Sequence, residues 1–252
     1  MKRSSLNWGV LGAAKIARSV IPALHQSKLA KAYGVASRNS AKAEVFAKEH
    51  GFEKAYGSYQ ALLKDPAVDV VYNPLPNDLH CEWTIRALEA GKHVLCEKPL
   101  ALNAAECRKM IAAAQRSGRL LMEAFMYRFH PQTLKILDLV AKQAIGKVRM
   151  VHASFGYTLD EAAQNVRLVP KMGGGSLMDI GCYCVNAIRT MFGEEPVAVH
   201  GHSERGHTRA VDMAFAGSLF FSGGRIGLFT SSFRTALDWG IEIGRASCRE
   251  RV

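Results

Sequence analysis

Gly9-Val-Leu-Gly12-Ala-Ala14-Lys-Ile-Ala17 is the stretch on which the reading of the fold turns. It follows the short apolar run 7–11 and opens a segment with apolar residues at 16, 17, 20, 21 and 24. A short apolar run, a glycine turn and a helical stripe form the head of a strand–helix–strand unit. Gly12 permits a tight turn. The small Ala14 lets a pyrophosphate approach the backbone, and Ala17 lets the helix pack on the strand. The helix N-terminus offers backbone N–H groups to that anion. Gly9, Gly12, Ala13, Ala14 and Ile16 are therefore candidate dinucleotide contacts. Pro22 within the stripe predicts a kink or an early end.

Downstream, strand and helix keep alternating. Residues 30–36 read as a second strand. Ser40 is expected to cap a helix that runs to His50 and stops at Gly51. Residues 68–72 form a buried strand, 77–90 a helix closed by Gly91, and 93–96 another strand. Asn103 and Glu106 make a capping box for a helix ending at Gly118, and 120–124 is a further strand. Such a series implies a parallel sheet with helices on both faces. After His130-Pro131 the rhythm changes. One helix leads to Gly146. Long strand-like runs follow at 147–155, 197–202, 211–221 and 225–233, interrupted by a helix over 179–192. Gly223-Gly224 reads as a hairpin turn. The fold class is thus α/β: an N-terminal Rossmann domain, then an α+β domain with a large, mostly antiparallel sheet. The expected boundaries are 1–124 and 125–242.

The end of the second strand selects the dinucleotide. An NAD site places Asp or Glu there for the ribose 2′-hydroxyl. The chain reads Ala36-Ser37-Arg38-Asn39, without a carboxylate. Arg38 can stack on adenine and pair with a 2′-phosphate. Ser37 can donate a hydrogen bond, and Lys42 lies one helical turn on. This pattern favours NADP over NAD.

Composition narrows the classes. Of 252 residues, 48% are apolar, enough to bury a core and to exclude disorder. No run approaches the roughly 20 apolar residues of a membrane helix. Lys15 and Arg18 break the weak likeness of the N-terminus, Met1-Lys2-Arg3 and beyond, to a signal peptide, so a cytoplasmic protein is expected. The net charge is +11, with +8 in residues 1–120 and +3 in 121–252. Its charges are scattered singly, without a basic run. A phosphorylated small ligand therefore fits the basic half better than nucleic acid. Cysteines at 81, 96, 107, 182, 184 and 248 include no C-x-x-C pair, so reduced thiols are expected. His200, His202 and His207 have no evident metal-ligating partner, and no metal is expected.

Four motifs in order give the chain a resemblance to the glucose–fructose oxidoreductase / inositol dehydrogenase (Gfo/Idh/MocA) family. They are residues 9–17; Val71-Tyr-Asn-Pro-Leu-Pro-Asn77 with His80; Glu97-Lys98-Pro99; and Gly173-Gly-Gly-Ser-Leu-Met-Asp179-Ile-Gly-Cys-Tyr183. The resemblance covers residues 6 to about 242. It is strongest to the branch with NADP-dependent D-xylose dehydrogenases, dimeric dihydrodiol dehydrogenases and glucose–fructose oxidoreductase. Asn73 departs from the usual aliphatic residue of its motif.

The resemblance implies hydride transfer between NADP and a hydroxyl-bearing carbon of a sugar or cyclic polyol. It makes Tyr183 the acid/base. An unperturbed phenol, with a pKa of about 10, needs a nearby cation for that task, and Lys98 would supply one. Asp179, four residues before Tyr183 and so on one helical face, would position the substrate. Leu75, Pro76, Asn77, His80, Glu97 and Lys98 would approach the nicotinamide end, and Arg128 and Arg167 would lie near the cofactor. A homo-oligomer through the second-domain sheet is also implied. The alternative is a non-catalytic NADP-binding regulator on the same fold. Finally, residues 243–252 coincide with a conceptual translation of a short-read sequencing adapter. The tail is therefore expected to be foreign, with the native reading frame cut near Glu242.

Overall fold

Strand β1 (Leu6–Leu11), helix α1 (Ala17–Gln26) and strand β2 (Ala30–Ala36) open the chain as a parallel unit. The computed structural model describes residues 5–207 and 210–245. The expected foreign tail lies outside the described residues from 246 onward, as do Met1-Lys2-Arg3 and Cys248. The chain forms two compact units, Met1–Ala124 and Phe125–Val252.

In the first unit the series continues with α2 (Ser40–His50), β3 (Lys54–Tyr56), α3 (Tyr59–Lys64), β4 (Val70–Asn73), α4 (Asn77–Glu89), β5 (His93–Cys96), α5 (Ala104–Ser117) and β6 (Leu121–Glu123). The strands join in the order β3-β2-β1-β4-β5-β6, every pair parallel. Two clusters cover the faces. Val10, Ala17, Ile21, Leu24 and Phe46 pack on one side, and Leu11, Leu62, Val71, Leu88 and Met110 on the other. Each fully buried leucine of this kind contributes about 1.5–3 kcal/mol.

Several local expectations are corrected. Pro22 lies inside α1 without ending it. The buried face of Ala17, Ile21 and Leu24 holds the helix on the sheet despite the missing N–H. The cap of α2 is Asn39, whose side chain accepts from the Lys42 N–H at 3.0 Å, while the Ser40 hydroxyl donates to Glu44. In the capping box, Asn103 accepts from the Glu106 N–H, but the Glu106 carboxylate takes the N–H of Leu102. Strand β3 and helix α3 fill the stretch after Gly51 that the pattern left unread. They are too short for periodicity to show.

The second unit contains α6 (Pro131–Ala141), β7 (Val148–Gly156), α7 (Cys182–Phe192), β8 (Ala198–Arg205), β9 (Asp212–Phe221), β10 (Arg225–Ser232) and β11 (Asp238–Arg245). Its five strands run in the order β11-β7-β10-β9-β8. Only the β7–β10 pair is parallel. Gly223 and Gly224, at φ +69° and +71°, join β9 to β10. Helix α7 packs Cys184, Ile188 and Met191 on one sheet face, against Val151, Leu219, Phe221 and Phe229. The helix expected from Asp179 begins instead as a π-turn, Leu177–Gly181, which runs into α7. Strand β11 continues through Ile243 and Gly244, opposite Val151 and Met150. Among the described residues no helix is long and apolar enough to cross a membrane.

Candidate active site

The strand order of the first unit reverses between β1 and β4, the place where open parallel sheets bind ligands at their carboxyl ends. The turn after β1 carries Gly12 at φ +90°, a conformation that side-chain-bearing residues rarely adopt. Its N–H donates to the Ala36 carbonyl at 2.7 Å, fastening the turn to the end of β2. A Cβ here would also crowd Leu75 Cδ2 at 3.2 Å. Ala13 and Ile16 are exposed and Ala14 is half-buried. No side chain caps the N-terminus of α1; the N–H groups of Ala17, Arg18 and Ser19 turn back on the carbonyls of Ala14, Lys15 and Ile16 at 3.0–3.2 Å. Gly9 is a correction to the expected contacts. A Cβ on it would lie 2.7 Å from Leu62 Cδ2 and 3.1 Å from Val68 Cγ1. Its bareness serves the packing of α3 on β1.

Beyond β2, Ser37 donates its N–H to the Tyr56 carbonyl, and its hydroxyl accepts from the Asn39 N–H. Arg38 is exposed, and its charge acts on the phenol of Tyr59. Burial pushes that phenol up, and Arg38 partly offsets the shift. Lys42 is exposed in the first turn of α2. No carboxylate stands at positions 36–39. The bare turn at Gly12 and the acid-free, basic end of β2 together fit a dinucleotide carrying a 2′-phosphate.

The loops after β4 and β5 are clamped to each other. Asn73 is fully buried. Its amide donates to Thr84 Oγ1 at 3.1 Å, and its Oδ1 accepts from the Leu75 N–H at 3.3 Å. The family-atypical asparagine thus shapes the loop from within. Leu75 is buried, while Pro76 and Asn77, at the start of α4, are half-buried. His80 is a second correction. It is fully buried, with Nε2 at 2.7 Å from the Leu75 carbonyl and Nδ1 at 2.9 Å from the Pro99 carbonyl. Both nitrogens face backbone carbonyls, to one of which the neutral ring can donate, so His80 braces the two loops from a fully buried position with no edge left for a cofactor. Burial pushes its pKa down, against the pull of the two carbonyls. Glu97 Oε1 accepts from the Tyr72 hydroxyl at 2.5 Å, and Glu123 accepts from the Leu100 N–H at 2.8 Å. Lys98, half-buried, leads into a cis peptide with Pro99 at the carboxyl end of β5.

In the second unit Tyr183 lies in the first turn of α7. Its ring meets those of Phe125, Phe155 and Tyr127 at centroid distances of 5.2, 5.7 and 6.2 Å. Its hydroxyl donates to Met126 Sδ at 3.5 Å. Asp179 is placed by the π-turn. Its Oδ2 accepts from Arg167 Nε at 2.7 Å and from the Tyr157 hydroxyl at 2.9 Å. Burial works against the Arg167 charge, but the Asp179 carboxylate overrides it and holds the guanidinium protonated. Burial, then the same carboxylate, pushes the Tyr157 phenol up. Arg167, expected beside the cofactor, holds Asp179 through its Nε. Arg128 is exposed in the short turn Met126–Phe129. Tyr59, Tyr72 and Tyr157 escaped the sequence reading because each acts on a residue 12 or more positions away. The thiol of Cys184, pushed up to about 12 by burial, is chemically inert. Among the described residues no group of three or more His, Cys, Asp or Glu side chains could hold a metal ion.

Residues 6–125 match the oxidoreductase family with NAD-binding Rossmann fold, GFO/IDH/MocA, and residues 133–244 match a GFO/IDH/MocA C-terminal domain. The chain belongs to the GFO/IDH/MocA oxidoreductase family. It is 43% identical over 229 residues to D-xylose 1-dehydrogenase (NADP(+)) 2 of Haloferax volcanii, covering 90% of this chain and 70% of that protein. It is 40% identical over 242 residues to trans-1,2-dihydrobenzene-1,2-diol dehydrogenase of Xenopus laevis, covering 91% and 70%. Among solved structures, KijD10, a 3-ketoreductase from Actinomadura kijaniata in complex with NADP and TDP-benzene, superposes with a TM-score of 0.89 at 34% identity. That match covers 96% of this chain and 74% of KijD10.

Proposed function

We propose that this GFO/IDH/MocA protein is an NADP-dependent oxidoreductase acting on a hydroxyl-bearing carbon of a sugar or cyclic polyol. The observation that carries the reading is the end of β2. Arg38 stands there against Tyr59, no carboxylate is present, and the turn at Gly12 holds the adjoining backbone bare. The relatives that use NADP on xylose, and those that act on a cyclic diol, support the substrate class.

Gly12, Ala13, Ala14 and Ile16 would hold the pyrophosphate, and Ser37, Arg38 and Lys42 the 2′-phosphate. Leu75, Pro76, Asn77 and Glu97 would line the nicotinamide end, with Arg128 also toward the cofactor. Bound NADP supplies the acceptor or donor of hydride. Tyr183 takes the hydroxyl proton on oxidation and returns it on reduction, so the alcohol loses one proton and one hydride to become a carbonyl. Lys98 stabilises the developing alkoxide as a fixed cation. Asp179 grips substrate hydroxyls and is itself aimed by Arg167 and Tyr157. The proposal includes a homo-oligomer through the second-unit sheet, which suits the exposure of β8 and of Val199 and Trp239. It also includes a cytoplasmic site, which suits the free thiols of Cys81, Cys96, Cys107, Cys182 and Cys184.

The test is a screen of aldoses and trans-diols with NADP and with NAD, read as the absorbance of the reduced nicotinamide. Turnover with NADP on at least one polyol is expected. NADP binding without turnover on any of them would favour the regulatory alternative.

A further inference from the structure

The triple-glycine motif ahead of Asp179 turns out to be a socket. Gly175 sits at φ +108°, and a Cβ on it would lie 2.1 Å from Asp212 Oδ1. The other oxygen of Asp212 accepts from the Ser176 hydroxyl at 2.7 Å and from the Leu177 N–H at 2.8 Å. Those two donors open the π-turn that carries Asp179. Ser176 is fully buried, and its hydroxyl also lies 3.1 Å from Ser231 Oγ. On the other side of the strap, a Cβ on Gly174 would lie 2.5 Å from the Arg167 carbonyl, which accepts the Gly175 N–H at 2.9 Å. The Asp179 N–H closes on the Gly175 carbonyl at 3.0 Å. One short strap thus grips the carboxylate at the start of β9, the backbone of Arg167 and the turn that presents Asp179.

We propose that Asp212 is a positioning residue: it fixes the first turn of the Leu177–Gly181 segment and thereby sets the Asp179 carboxylate against Arg167. Its catalytic consequence rests on the function proposed above, whereas the positioning itself does not. The carboxylate stands where the π-turn leaves N–H groups without helical partners, and it takes one of them together with the neighbouring hydroxyl. Glycine at 175 is required twice, by its φ and by the space the carboxylate occupies.

The experiment uses the full chain and the variants Asp212→Ala, Asp212→Asn, Gly175→Ala and the Gly175→Ala/Asp212→Ala double. An asparagine can place its amide oxygen where Oδ2 stands and accept both bonds. Asp212→Ala should speed amide exchange over residues 177–181 about tenfold or more, because it removes the acceptor for a buried hydroxyl and a half-buried N–H. It should raise KM for the polyol by at least a similar factor, with the NADP Kd within about twofold and a smaller change in kcat. Asp212→Asn should restore both exchange and KM. The double variant should lose less than the sum of the two single losses, since both changes break one contact, and it should still be worse than Asp212→Ala because the φ strain at 175 remains. If Asp212→Ala does not fold, Ser176→Ala removes one of the two donors and carries the exchange measurement. Unchanged exchange at 177–181, an asparagine as defective as alanine, or NADP affinity lost in step with KM would each overturn the proposal. A wild-type chain that turns over no polyol would sink the functional reading, while the exchange result would still decide the role of Asp212.

Discussion

Replacing Asp65 by alanine should destabilise the first unit by about 3 kcal/mol at neutral pH, a figure built from two charge-assisted hydrogen bonds of about 1.5 kcal/mol each. Those two are the Tyr56 hydroxyl to Oδ2 at 2.6 Å and the Ala67 N–H to Oδ1 at 2.8 Å. The Tyr33 hydroxyl, at 3.3 Å, is too long to add much. Lys54, at 2.9 Å, is left out of the sum because its ammonium is in water. The carboxylate itself is only 13% exposed, so water replaces little of what is lost. It ties β2, β3 and the end of α3 together, and a cost of this size should lower the Tm by about 6–12 °C. The pH dependence has a definite sign. Hydrogen bonds from Tyr56, then Lys54 and Ala67, push the Asp65 carboxyl well below its ordinary value of 3.8. Its stabilisation is therefore complete above about pH 4–5 and is lost as pH falls through the depressed folded value. In a Trp239→Phe background, tryptophan fluorescence comes from Trp8 and Trp83, both in the first unit. Urea unfolding followed this way should show a constant gap between the parent protein and its Asp65→Ala variant from about pH 7 to 5, closing in strong acid. A gap under about 1 kcal/mol at pH 7, or one that persists unchanged into strong acid, would refute the reasoning.

Arg38→Ala should weaken NADP binding about 10–100-fold and leave NAD within about threefold, measured by titration of protein fluorescence; equal losses would make Arg38 a scaffold partner of Tyr59. Tyr183→Phe keeps the ring among Phe125, Tyr127 and Phe155 and deletes only the hydroxyl, so turnover should fall about 10²–10⁴-fold with the NADP Kd unchanged; near-normal turnover would move the proton to another group. His80→Phe should cost about 1–3 kcal/mol of unfolding free energy, because one of the two buried carbonyls that face the ring, those of Leu75 and Pro99, loses its N–H donor; calorimetry showing no loss would mean that water replaces it. Gly12→Val forces a branched side chain to φ +90° against Leu75 and should abolish measurable NADP binding while the second unit keeps its own unfolding transition.

Much of the first unit was legible in the chain itself. The turn at 9–17, the strand at 30–36, the caps at Gly51 and Gly118 and the missing acid after Ala36 depend on neighbours a few residues apart. Propensity, capping and periodicity act over that range. Lys98, Asp179 and Tyr183 stood out only through the motifs that carry the family resemblance. Other features were not legible. His80 stood in a motif, yet its partners are the carbonyls of residues 75 and 99, and only packing shows that both ring nitrogens face backbone. Gly9 reads as a cofactor glycine until Leu62 arrives from a helix too short to announce itself. Arg167 reads as a cofactor-side cation, and only the π-turn brings Asp179 to it; the space that Gly175 leaves is taken by Asp212, from the start of a strand more than thirty residues on. A sequence displays what the backbone does with its near neighbours. Which side chain receives a given proton, charge or void is fixed by chain segments that meet only when the core closes.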